Sequence, residues 1–424
     1  MRIGIGILGG GVVGGTLARK LIIEKDAVAA KSGLELSLVR VAARSADKPR
    51  QFPSTLLTTD PNEVVDDPNV ALVVELMGGF EPARTLILRA LDAGKPVVTA
   101  NKELLAADGP ELFRRAEAKG VSILFEAAVG GGIPIIRPLS ESLAGERLTR
   151  VMGILNGTTN FILGQMERGA SYSEALAEAQ RLGYAEADPT ADVSGGDAAA
   201  KAAILAGLAF GVWLGKDAVY REGIESLDPK DLSFARQLGY AVKLLAVAES
   251  TEQGVAARVH PAFIPVEHPL AGVRGAYNAI FIEGPAVGRL FFSGPGAGGE
   301  PTATAVLGDI IDAARELLAG VPVVPRVRVG AGQRAESSSI STKWYLRLEV
   351  ADAPGVLAQV ASVFGRHEVS IMSVWQEGRG DDATLILITH DAPEANHRAA
   401  AADLATLPVV KQVAATIRVQ SDRP

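Results

Sequence analysis

Short apolar runs alternate with helix-like patterns in the first part of the chain, and this alternation predicts its architecture. The apolar runs predict buried strands at 3–8, 34–43, 70–76, 96–99 and 122–125. The segments between them space their apolar residues as a helix does, at 12–24, 85–93 and 111–119. Strands that alternate with helices indicate βαβ units and a parallel sheet. The first part is therefore predicted to be a doubly wound, Rossmann-type α/β domain.

The hydrophobic pattern changes near residue 150 and again near residue 330. Between these points helical segments mix with β-rich runs, which predicts an α+β domain for catalysis and dimerisation. A polar stretch and a small α+β pattern follow. The predicted parts are a nucleotide-binding domain at 1–149 completed by 300–325, a catalytic domain at 150–299, a linker at 330–341 and a C-terminal domain at 342–424. Since the linker reads as flexible, removal of the chain from Ser341 onward is predicted to leave the remainder folded and active.

Composition excludes several classes of function. The 424 residues are 48% hydrophobic and carry a net charge of −7, which disfavours nucleic acid and anionic membrane surfaces as partners. No uncharged apolar run approaches the ~20 residues of a membrane-spanning helix, and the first residues lack the apolar core of a signal peptide. A cytoplasmic protein is therefore predicted. The chain has no cysteine, so disulfides, iron–sulfur clusters and a cysteine nucleophile are excluded.

A glycine-rich turn follows the first predicted strand and opens the first predicted helix. Residues 9–14 read Gly-Gly-Gly-Val-Val-Gly and fit the pattern G-x-G-x-x-G. Glycine lets backbone N–H groups approach a pyrophosphate, and the helix N-terminus stabilises its negative charge. A simple tight turn is the alternative, but the βαβ context weighs against it. The turn predicts nucleotide contacts at Gly9, Gly11, Val12, Val13 and Gly14.

The end of the second predicted strand bears on the choice of nucleotide. NAD sites usually place an acidic residue there to bind the ribose hydroxyls, whereas this sequence has Arg44, with Lys48 close behind. Both cations could pair with a 2′-phosphate, or both could be solvated loop residues. The sequence therefore favours NADP and leaves the use of NAD open.

The most informative stretch lies between residues 182 and 201. Asp197 and Lys201 are four residues apart, so they share one face of a predicted helix. The rest of that helix is almost wholly apolar, and a lysine in such surroundings is one whose pKa an enzyme can tune. The alternative is an ordinary salt bridge at a helix start. Three more carboxylates upstream, at Glu186, Asp188 and Asp192, weigh against it.

Two further motifs are candidates for a site. Lys102 follows the fourth predicted strand in the sequence Ala-Asn-Lys, at a carboxyl end where parallel sheets bind ligands. Residues 155–160 read Leu-Asn-Gly-Thr-Thr-Asn, a turn whose amides and hydroxyls could bind an anion or a cofactor. For the first motif a loop lysine stays open as the alternative, and for the second a well-capped helix start.

Taken together, these motifs resemble those of the homoserine dehydrogenase family. The similar segments are Leu-Gly-Tyr-Ala-Glu-Ala-Asp-Pro at 182–189 and Asp-Val-Ser-Gly-Gly-Asp-Ala-Ala-Ala-Lys at 192–201, with the Ala-Asn-Lys and Asn-Gly-Thr-Thr-Asn signatures. The resemblance covers about residues 3–320. It implies reversible hydride transfer between L-homoserine and L-aspartate 4-semialdehyde with NAD(P), in the biosynthesis of threonine, methionine and isoleucine.

The resemblance also implies roles for individual residues. Glu186 would bind the substrate amine, and Asp192 would belong to the same substrate site. Asp197, as both a substrate-binding and a catalytic residue, would hold the substrate and its carbonyl end together with Lys201. Lys201, or a water that it holds, would supply the proton as hydride reaches the aldehyde carbon. Lys102 would lie between nicotinamide and substrate and could share that role.

Two loops complete the site that the resemblance implies. Gly298, in Gly-Pro-Gly-Ala-Gly-Gly at 294–299, resembles the family's late glycine loop that returns to the cofactor. A structural monovalent cation such as Na⁺ is also implied, three of its four ligands being backbone carbonyls. The matching positions are Glu126, Val129, Gly131 and Ile133.

The C-terminal part resembles an ACT domain. Residues 348–364 run from a strand through Asp-Ala-Pro-Gly into an amphipathic helix, and 371–376 is similar to the second strand of that fold. ACT domains bind amino acids between paired copies, so the resemblance implies an amino-acid effector, with threonine suggested, and a homo-oligomer, either dimer or tetramer. The alternative is a domain that only dimerises.

Two other functions compete with this interpretation. A phosphorylating semialdehyde dehydrogenase also binds NADP on a doubly wound domain, but it forms a thioester on a cysteine that this chain lacks. A non-catalytic protein could instead sense a dinucleotide and an amino acid. The lysine and carboxylates of residues 182–201 weigh against that alternative.

Overall fold

The computed structural model describes residues 2–320, 330, 332–378 and 383–420. The chain divides into two compact units, each made of three segments. The first unit contains Met1–Val151, Ala200–Val219 and Asn278–Gly332. The second contains Met152–Ala199, Tyr220–Tyr277 and Gln333–Pro424.

Helices and strands occur throughout the described residues. The helices are α1 (Val12–Ile23), α2 (Lys25–Ser32), α3 (Asn62–Asp66), α4 (Ala83–Asp92), α5 (Lys102–Lys119), α6 (Gly157–Met166), α7 (Tyr172–Arg181), α8 (Thr190–Val193), α9 (Gly196–Phe210), α10 (Pro229–Gln237), α11 (Gly299–Ala319), α12 (Val356–Arg366) and α13 (Glu394–Leu404). The first strands are β1 (Arg2–Leu8), β2 (Glu35–Ala42), β3 (Leu57–Thr58), β4 (Leu72–Glu75), β5 (Val97–Thr99), β6 (Ile123–Leu124), β7 (Arg150–Ile154) and β8 (Tyr220–Arg221). The later strands are β9 (Tyr240–Thr251), β10 (Gly254–Pro265), β11 (Tyr277–Gly284), β12 (Gly288–Pro295), β13 (Ser341–Val350), β14 (Ile371–Glu377), β15 (Thr384–Thr389), β16 (Ala392–Pro393) and β17 (Val410–Val419).

A six-stranded parallel sheet forms the centre of the first unit, in the order β3-β2-β1-β4-β5-β6. This is the predicted doubly wound arrangement, and β1 occupies the middle of it. Because helices cover both faces of such a sheet, β1 buries six of its seven residues and reads as a continuous apolar run. Ile5 and Ile7 pack in one core with Leu17 of α1 and with Val306 and Ile310 of α11. Helix α11, which begins the segment predicted to complete this domain, therefore packs on the nucleotide-binding sheet.

The second unit contains a hairpin and a small α+β domain that share one sheet. β9 and β10 pair antiparallel, and the neighbours that follow β10 in the sheet are β17, β13, β15 and β14. Helices α12 and α13 cover the C-terminal strands, burying Val360, Phe364 and Leu404 with residues of β13 and β15. Apart from the two-residue strand β16, the order from β13 to β17 is strand-helix-strand-strand-helix-strand, which is the predicted α+β pattern.

The described part of the predicted linker is ordered, which differs from the flexible segment that its composition predicts. Val255 of β10 receives a hydrogen bond from the N–H of Ala335 and donates one to the carbonyl of Gln333, both at 2.9 Å. Ala335 and Ile340 are buried with Ala256. These contacts satisfy backbone groups and remove apolar surface from water, so the segment is fixed to the hairpin.

The C-terminal domain is also joined to the hairpin by strand pairing. β17 pairs in parallel with β10, matching Ala262 with Arg418 and Phe263 with Val419. A truncation at Ser341 would therefore remove the strand β17 that pairs with β10, and the folding and activity of the remainder stay a prediction. The predicted domain limits themselves stay predictions, and their portions at 321–325, 331, 379–382 and 421–424 lie outside the described residues. No helix in the described part of the chain is long and apolar enough to cross a membrane.

Candidate active site

The glycines of the turn after β1 have distinct steric roles. Gly9 has φ +113°, and a Cβ there would lie 2.5 Å from the carbonyl oxygen of Leu76. A Cβ on Gly14 would lie 1.9 Å from the carbonyl oxygen of Gly9, so only glycine lets α1 pack this closely on the turn. At Gly11, the residue before α1, a Cβ would meet nothing within 4 Å. The turn therefore has no room for a side chain at Gly9 or Gly14, whereas the space at Gly11 is open.

The first turn of α1 is free to bind an anion. Its N-cap residue, Gly11, has no side chain to cap the helix, so the first backbone N–H groups have no intrahelical acceptor. Val12 is 77% exposed, which keeps the helix start accessible. The N–H groups of Gly9 and Gly10 both donate to the carbonyl of Ala42 at 3.0 Å, which fixes the turn to the end of β2. This geometry fits the pyrophosphate of a dinucleotide.

The loop after β2 carries the predicted cations and one that sequence reasoning missed. Arg44 and Lys48 are exposed. Arg50 donates through Nη1 to the carbonyl of Gly10 and through Nη2 to the carbonyl of Ser45 at 2.7 Å. It therefore ties the glycine turn to the loop that would surround the adenosine ribose. The sequence could have indicated Arg50, because it is the third basic residue within seven positions, after Arg44 and Lys48.

The N-terminus of α11 lies beside the N-terminus of α1. Gly298, with φ +117°, precedes α11, and a Cβ on Gly299 would lie 2.9 Å from Thr16 Oγ1 and 3.1 Å from Val12 Cγ1. The late glycine loop thus packs against the first turn of α1. The contact of Gly298 with the cofactor stays a prediction.

Lys102 is the first residue of α5, at the carboxyl edge of the parallel sheet. The preceding Asn101 caps this helix, its Oδ1 accepting from the N–H of Leu104 at 3.1 Å. Its Nδ2 donates to the carbonyl of Gly79 at 2.7 Å, which ties the start of α5 to the loop after β4. The sequence placed Lys102 at this edge correctly, and Asn101 fixes the backbone that carries it.

A buried glutamate that sequence reasoning missed organises the same edge. Glu75, at the end of β4, is 0% exposed. Its Oε1 accepts from the N–H groups of Met77 and Gly78 at 2.7 and 3.0 Å, and its Oε2 accepts from Thr99 Oγ1 at 2.6 Å. One carboxylate therefore fixes the ends of β4 and β5 relative to each other. Glu75 comes at the end of an apolar strand, so hydrophobic periodicity alone does not distinguish it from an ordinary residue at a strand end.

The Glu126 carboxylate, one of the predicted cation ligands, is already engaged by backbone amides. It is 4% exposed, and its oxygens accept from the N–H groups of Ile135, Ile136 and Arg137 at 2.6, 2.8 and 3.1 Å. Among the described residues, no group of three or more histidine, aspartate and glutamate side chains is placed to hold a metal ion. The Glu126 carboxylate therefore fixes the turn at residues 135–137, and its role as a cation ligand stays a prediction.

Asp309 of α11 contacts the same segment from the other side. Its Oδ2 accepts from the N–H of Glu126 at 2.7 Å, and its Oδ1 accepts from Arg137 Nη2 at 3.0 Å. Burial raises the pKa of Asp309 to about 7, although both of these hydrogen bonds lower it. The segment from residue 126 to 137 is thus fixed by two buried carboxylates.

Asn156 brings two of the predicted substrate carboxylates together. Its Nδ2 donates to Asp192 Oδ1 at 2.7 Å and to Asp197 Oδ2 at 2.9 Å. Its Oδ1 accepts from the N–H of Thr159 at 2.9 Å, which caps α6. A single side-chain amide therefore sets the spacing of two carboxylates that are five positions apart in sequence and lie in different helices, α8 and α9.

The rest of the Asn-Gly-Thr-Thr-Asn motif anchors loops. Asn160 Nδ2 donates to the carbonyl of Gly275 at 3.0 Å, and its Oδ1 accepts from Lys243 Nζ at 3.0 Å. Lys243 is 2% exposed and also donates to the carbonyl of Val273 at 2.8 Å, and burial lowers its pKa. These contacts support the capped-helix interpretation of the motif. The sequence could have indicated Lys243 as a candidate, because it is a lysine within an apolar strand pattern.

Two further predicted residues flank Asp192 and Asp197 in sequence. Glu186 is exposed, in a segment held by Gln180, whose Nε2 donates to the carbonyl of Glu186 at 3.1 Å. Lys201 lies one helical turn after Asp197 in α9 and is 9% exposed. Beyond it α9 is apolar, as its sequence pattern predicts, and residues 202–207 are buried.

The fold and the turn at residues 9–14 together define a class. A doubly wound parallel sheet with an open, glycine-lined helix start is typical of dinucleotide-dependent oxidoreductases. Comparison with protein families narrows that class. Residues 9–126 match the homoserine dehydrogenase NAD-binding domain, residues 134–311 match homoserine dehydrogenase, and residues 344–408 match the ACT domain.

Whole-chain relatives agree with these matches. A homoserine dehydrogenase of Corynebacterium glutamicum is 46% identical and covers 99% of this chain and 96% of its own length. One from Mycobacterium tuberculosis is 47% identical, covering 99% and 98%. The crystal structure of a homoserine dehydrogenase from Thiobacillus denitrificans, 42% identical, superimposes with a TM-score of 0.95 over 99% of this chain and 98% of that one. The chain belongs to the homoserine dehydrogenase family.

Family membership decides between the functions that the sequence left open. The chain is an oxidoreductase that acts on a CH–OH group in amino-acid biosynthesis, with a nucleotide-binding domain and a C-terminal ACT domain, so the non-catalytic sensor is disfavoured. A hyperthermophilic archaeal homoserine dehydrogenase solved in complex with NADPH is 30% identical, with a TM-score of 0.63 over 74% of this chain and 98% of its own.

The bridging role of Asn156 gives a first prediction. We expect Asn156→Ser to raise the KM for homoserine about tenfold, because hydrogen bonds to charged groups are worth ~1.5–3 kcal/mol. Serine caps a helix about as well as asparagine, so α6 and the thermal midpoint should be little affected. Steady-state kinetics and thermal melts measure both quantities. An unchanged KM would mean that the bridge from Asn156 to the two aspartates does not contribute to substrate binding.

Proposed function

We propose that the chain interconverts L-homoserine and L-aspartate 4-semialdehyde with NADP, and that Asp192, Asp197 and Lys201 form the centre of its substrate site. The observation that carries this proposal is the bridge from Asn156 to both aspartates. Two carboxylates held side by side attract the ammonium group of an amino-acid substrate. Glu186, in the exposed segment before α8, would contribute a further carboxylate to that ammonium.

The reaction needs a hydride carrier, a proton carrier and a group that stabilises the alkoxide. A nucleotide bound at the turn of residues 9–14 would supply the hydride to the aldehyde carbon, or accept it from the same carbon in the reverse direction. In the reducing direction, the Lys201 ammonium stabilises the developing alkoxide and donates its proton to that oxygen, directly or through water. In the oxidising direction, the neutral amine accepts the hydroxyl proton. Lys102, at the start of α5, would hold the nicotinamide side of the site and could share this proton transfer.

The second prediction tests this mechanism. We expect the protein to oxidise homoserine with NADP, and Lys201→Ala to lower kcat by at least ~10²-fold, the low end for a general acid. Absorbance of NADPH follows the reaction, and circular dichroism checks that the variant is folded. Lys216→Ala, at an exposed lysine, is the matched control and should keep normal turnover. Near-normal turnover of Lys201→Ala would exclude this lysine from the proton transfer.

NADP is the proposed nucleotide because the loop after β2 is basic. Arg44 and Lys48 are exposed in that loop, while Arg50 is engaged with the carbonyls of Gly10 and Ser45. The first two are therefore available to a 2′-phosphate, and the third maintains the loop. No acidic side chain stands at position 44 to bind the ribose hydroxyls of NAD instead.

The third prediction concerns this choice of nucleotide. Arg44→Ala should weaken NADP binding about tenfold or more and leave NAD binding unchanged, since a charge-assisted contact is worth ~1.5–3 kcal/mol. Fluorescence titration with each reduced nucleotide gives the two dissociation constants. If both constants change by the same factor, Arg44 does not recognise the 2′-phosphate.

A monovalent cation such as Na⁺ is proposed at the segment from residue 126 to 133. Glu126, Val129, Gly131 and Ile133 are all buried, and within the described residues their carbonyl groups accept none of the loop hydrogen bonds. Buried carbonyls without such bonds suit a cation that is bound by oxygen. Since the Glu126 carboxylate is bound by amides, the proposed ligands are backbone carbonyls.

The ACT domain is proposed to bind threonine between two copies of the chain. The turn at residues 352–355 is exposed, and Gly355, with φ +86°, precedes α12 and leaves room for a ligand. β14 forms the edge of its sheet, with Met372 40% and Trp375 39% exposed. An apolar edge strand suits pairing with a second copy, which supports a homo-oligomer, dimer or tetramer. A cytoplasmic location stays a prediction from the sequence.

The fourth prediction tests threonine as the effector without removing strands. Threonine should inhibit the intact chain several-fold, since coupling between sites is typically ~1–3 kcal/mol. Asp352→Ala, in the exposed turn, should abolish most of this inhibition and keep the uninhibited rate. Initial rates at fixed homoserine and increasing threonine measure it. Equal inhibition of both proteins would mean that threonine competes in the active site.

A further inference from the structure

The last strand of the ACT domain carries a buried arginine that reaches out of that domain. The Arg418 side chain is 4% exposed, and its Nη1 donates to Glu222 Oε2 at 2.7 Å. Its other donors bind the buried carboxylate of Glu394, including Nη2 to Oε2 at 3.0 Å. The hydroxyl of Tyr220 donates to the same oxygen of Glu222 at 3.2 Å. The Glu222 carboxylate is therefore fixed by donors from β17 and from β8.

The residues after Glu222 lie directly against the backbone of α8. The N–H of Ile224 donates to the carbonyl of Val193 at 2.9 Å. A Cβ on Gly223 would lie 2.4 Å from that same oxygen and 2.8 Å from Ser194 Cα, so no larger residue fits without movement. The two segments are thus in backbone-to-backbone contact.

The contact continues up to the start of α9. A Cβ on Gly195, which has φ +79°, would lie 3.1 Å from Val259 Cγ1 and 3.6 Å from the carbonyl oxygen of Glu222. Glu222 is held at that place by its own N–H, which donates to the carbonyl of Val259 at 2.8 Å. The backbone that Glu222 supports therefore runs between Asp192 and Asp197.

We propose that Arg418 is a positioning residue for substrate binding, which acts through Glu222 on the backbone that carries Asp192 and Asp197. This inference rests on the proposed function, in which those two carboxylates bind substrate. The ACT domain then contributes to the geometry of the substrate site even without an effector. An effector that displaces β17 changes substrate affinity through the same contact.

A second buried arginine of the ACT domain provides a matched control. Arg347 of β13 is also 4% exposed and donates to the buried Asp231 at 2.7 Å and to Asp228 at 3.0 Å. Asp228 is 40% exposed and Glu222 is 34% exposed, so each is the more exposed carboxylate partner of a buried arginine. Asp228, however, caps α10, and its side-chain hydrogen bonds within the described part of the chain go to the N–H of Lys230 and to Arg347, not to the backbone around Val193.

The fifth prediction compares Glu222→Gln with Asp228→Asn. Both remove one charge at nearly constant shape, and asparagine keeps the cap of α10. Glu222→Gln should raise the KM for homoserine about threefold or more, within the range for residues that couple two sites, and leave the KM for NADP unchanged. Asp228→Asn should leave both KM values unchanged. Glu222→Asp, which retains the charge, should restore most of the homoserine affinity.

Kinetics with each substrate varied in turn, together with thermal melts, separate positioning from stability. A purely structural contact would lower the melting temperature of both variants and leave both KM values as they are, which would overturn the inference. Equal rises in the KM for homoserine in both variants would also overturn it. The Asn156→Ser variant distinguishes failure of the positioning role from failure of the proposed substrate site. An unchanged KM for homoserine in that variant means that the substrate site itself is misassigned.

Discussion

A buried carboxylate needs hydrogen-bond donors, and in this chain that requirement joins segments that are distant in sequence. Glu75 takes donors from the ends of two strands, and Glu126 takes three backbone amides from a later turn. Asp192 and Asp197, which are half-buried, share the amide of Asn156. Because an unpaired buried charge costs several kcal/mol (~3–5 when a partner is removed), the contacts of Glu75 and Glu126 each fix a loop. The candidate site is built from such loops.

The same requirement explains how the ACT domain is attached. Its buried arginines, Arg347 and Arg418, find their carboxylate partners partly outside the domain, at Asp231 and Glu222. Pairing of β17 with β10 adds backbone hydrogen bonds to these charged contacts. A domain held in this way cannot change shape without affecting the strands beside it. If Arg418 positions the substrate carboxylates as proposed, substrate affinity depends on this attachment.

Sequence reasoning succeeded where a residue's local pattern carries the information. The strand-turn-helix at Gly9 to Gly14, Lys102 at a strand end, and the helix that carries Asp197 and Lys201 all follow from spacing within one segment. It missed residues whose partners lie elsewhere. Local signals mark Arg50 and Lys243 as unusual, but no local pattern predicts which groups Arg50, Glu75 and Lys243 contact. The polar segment before Ser341 read as flexible because composition cannot show that Val255 pairs with it.

By itself the sequence determined the doubly wound sheet, the nucleotide turn, the class of chemistry and the presence of a C-terminal α+β domain, because alternating apolar periods and short motifs are local properties of the chain. Only the tertiary structure decided which carboxylates share a donor and which strand of the ACT domain meets the hairpin. Those outcomes depend on hydrogen bonds between residues separated by tens to hundreds of positions, such as Glu222 and Arg418. Side-chain donors reach their acceptors only after the backbone has brought them together, and no pattern within either segment identifies the other.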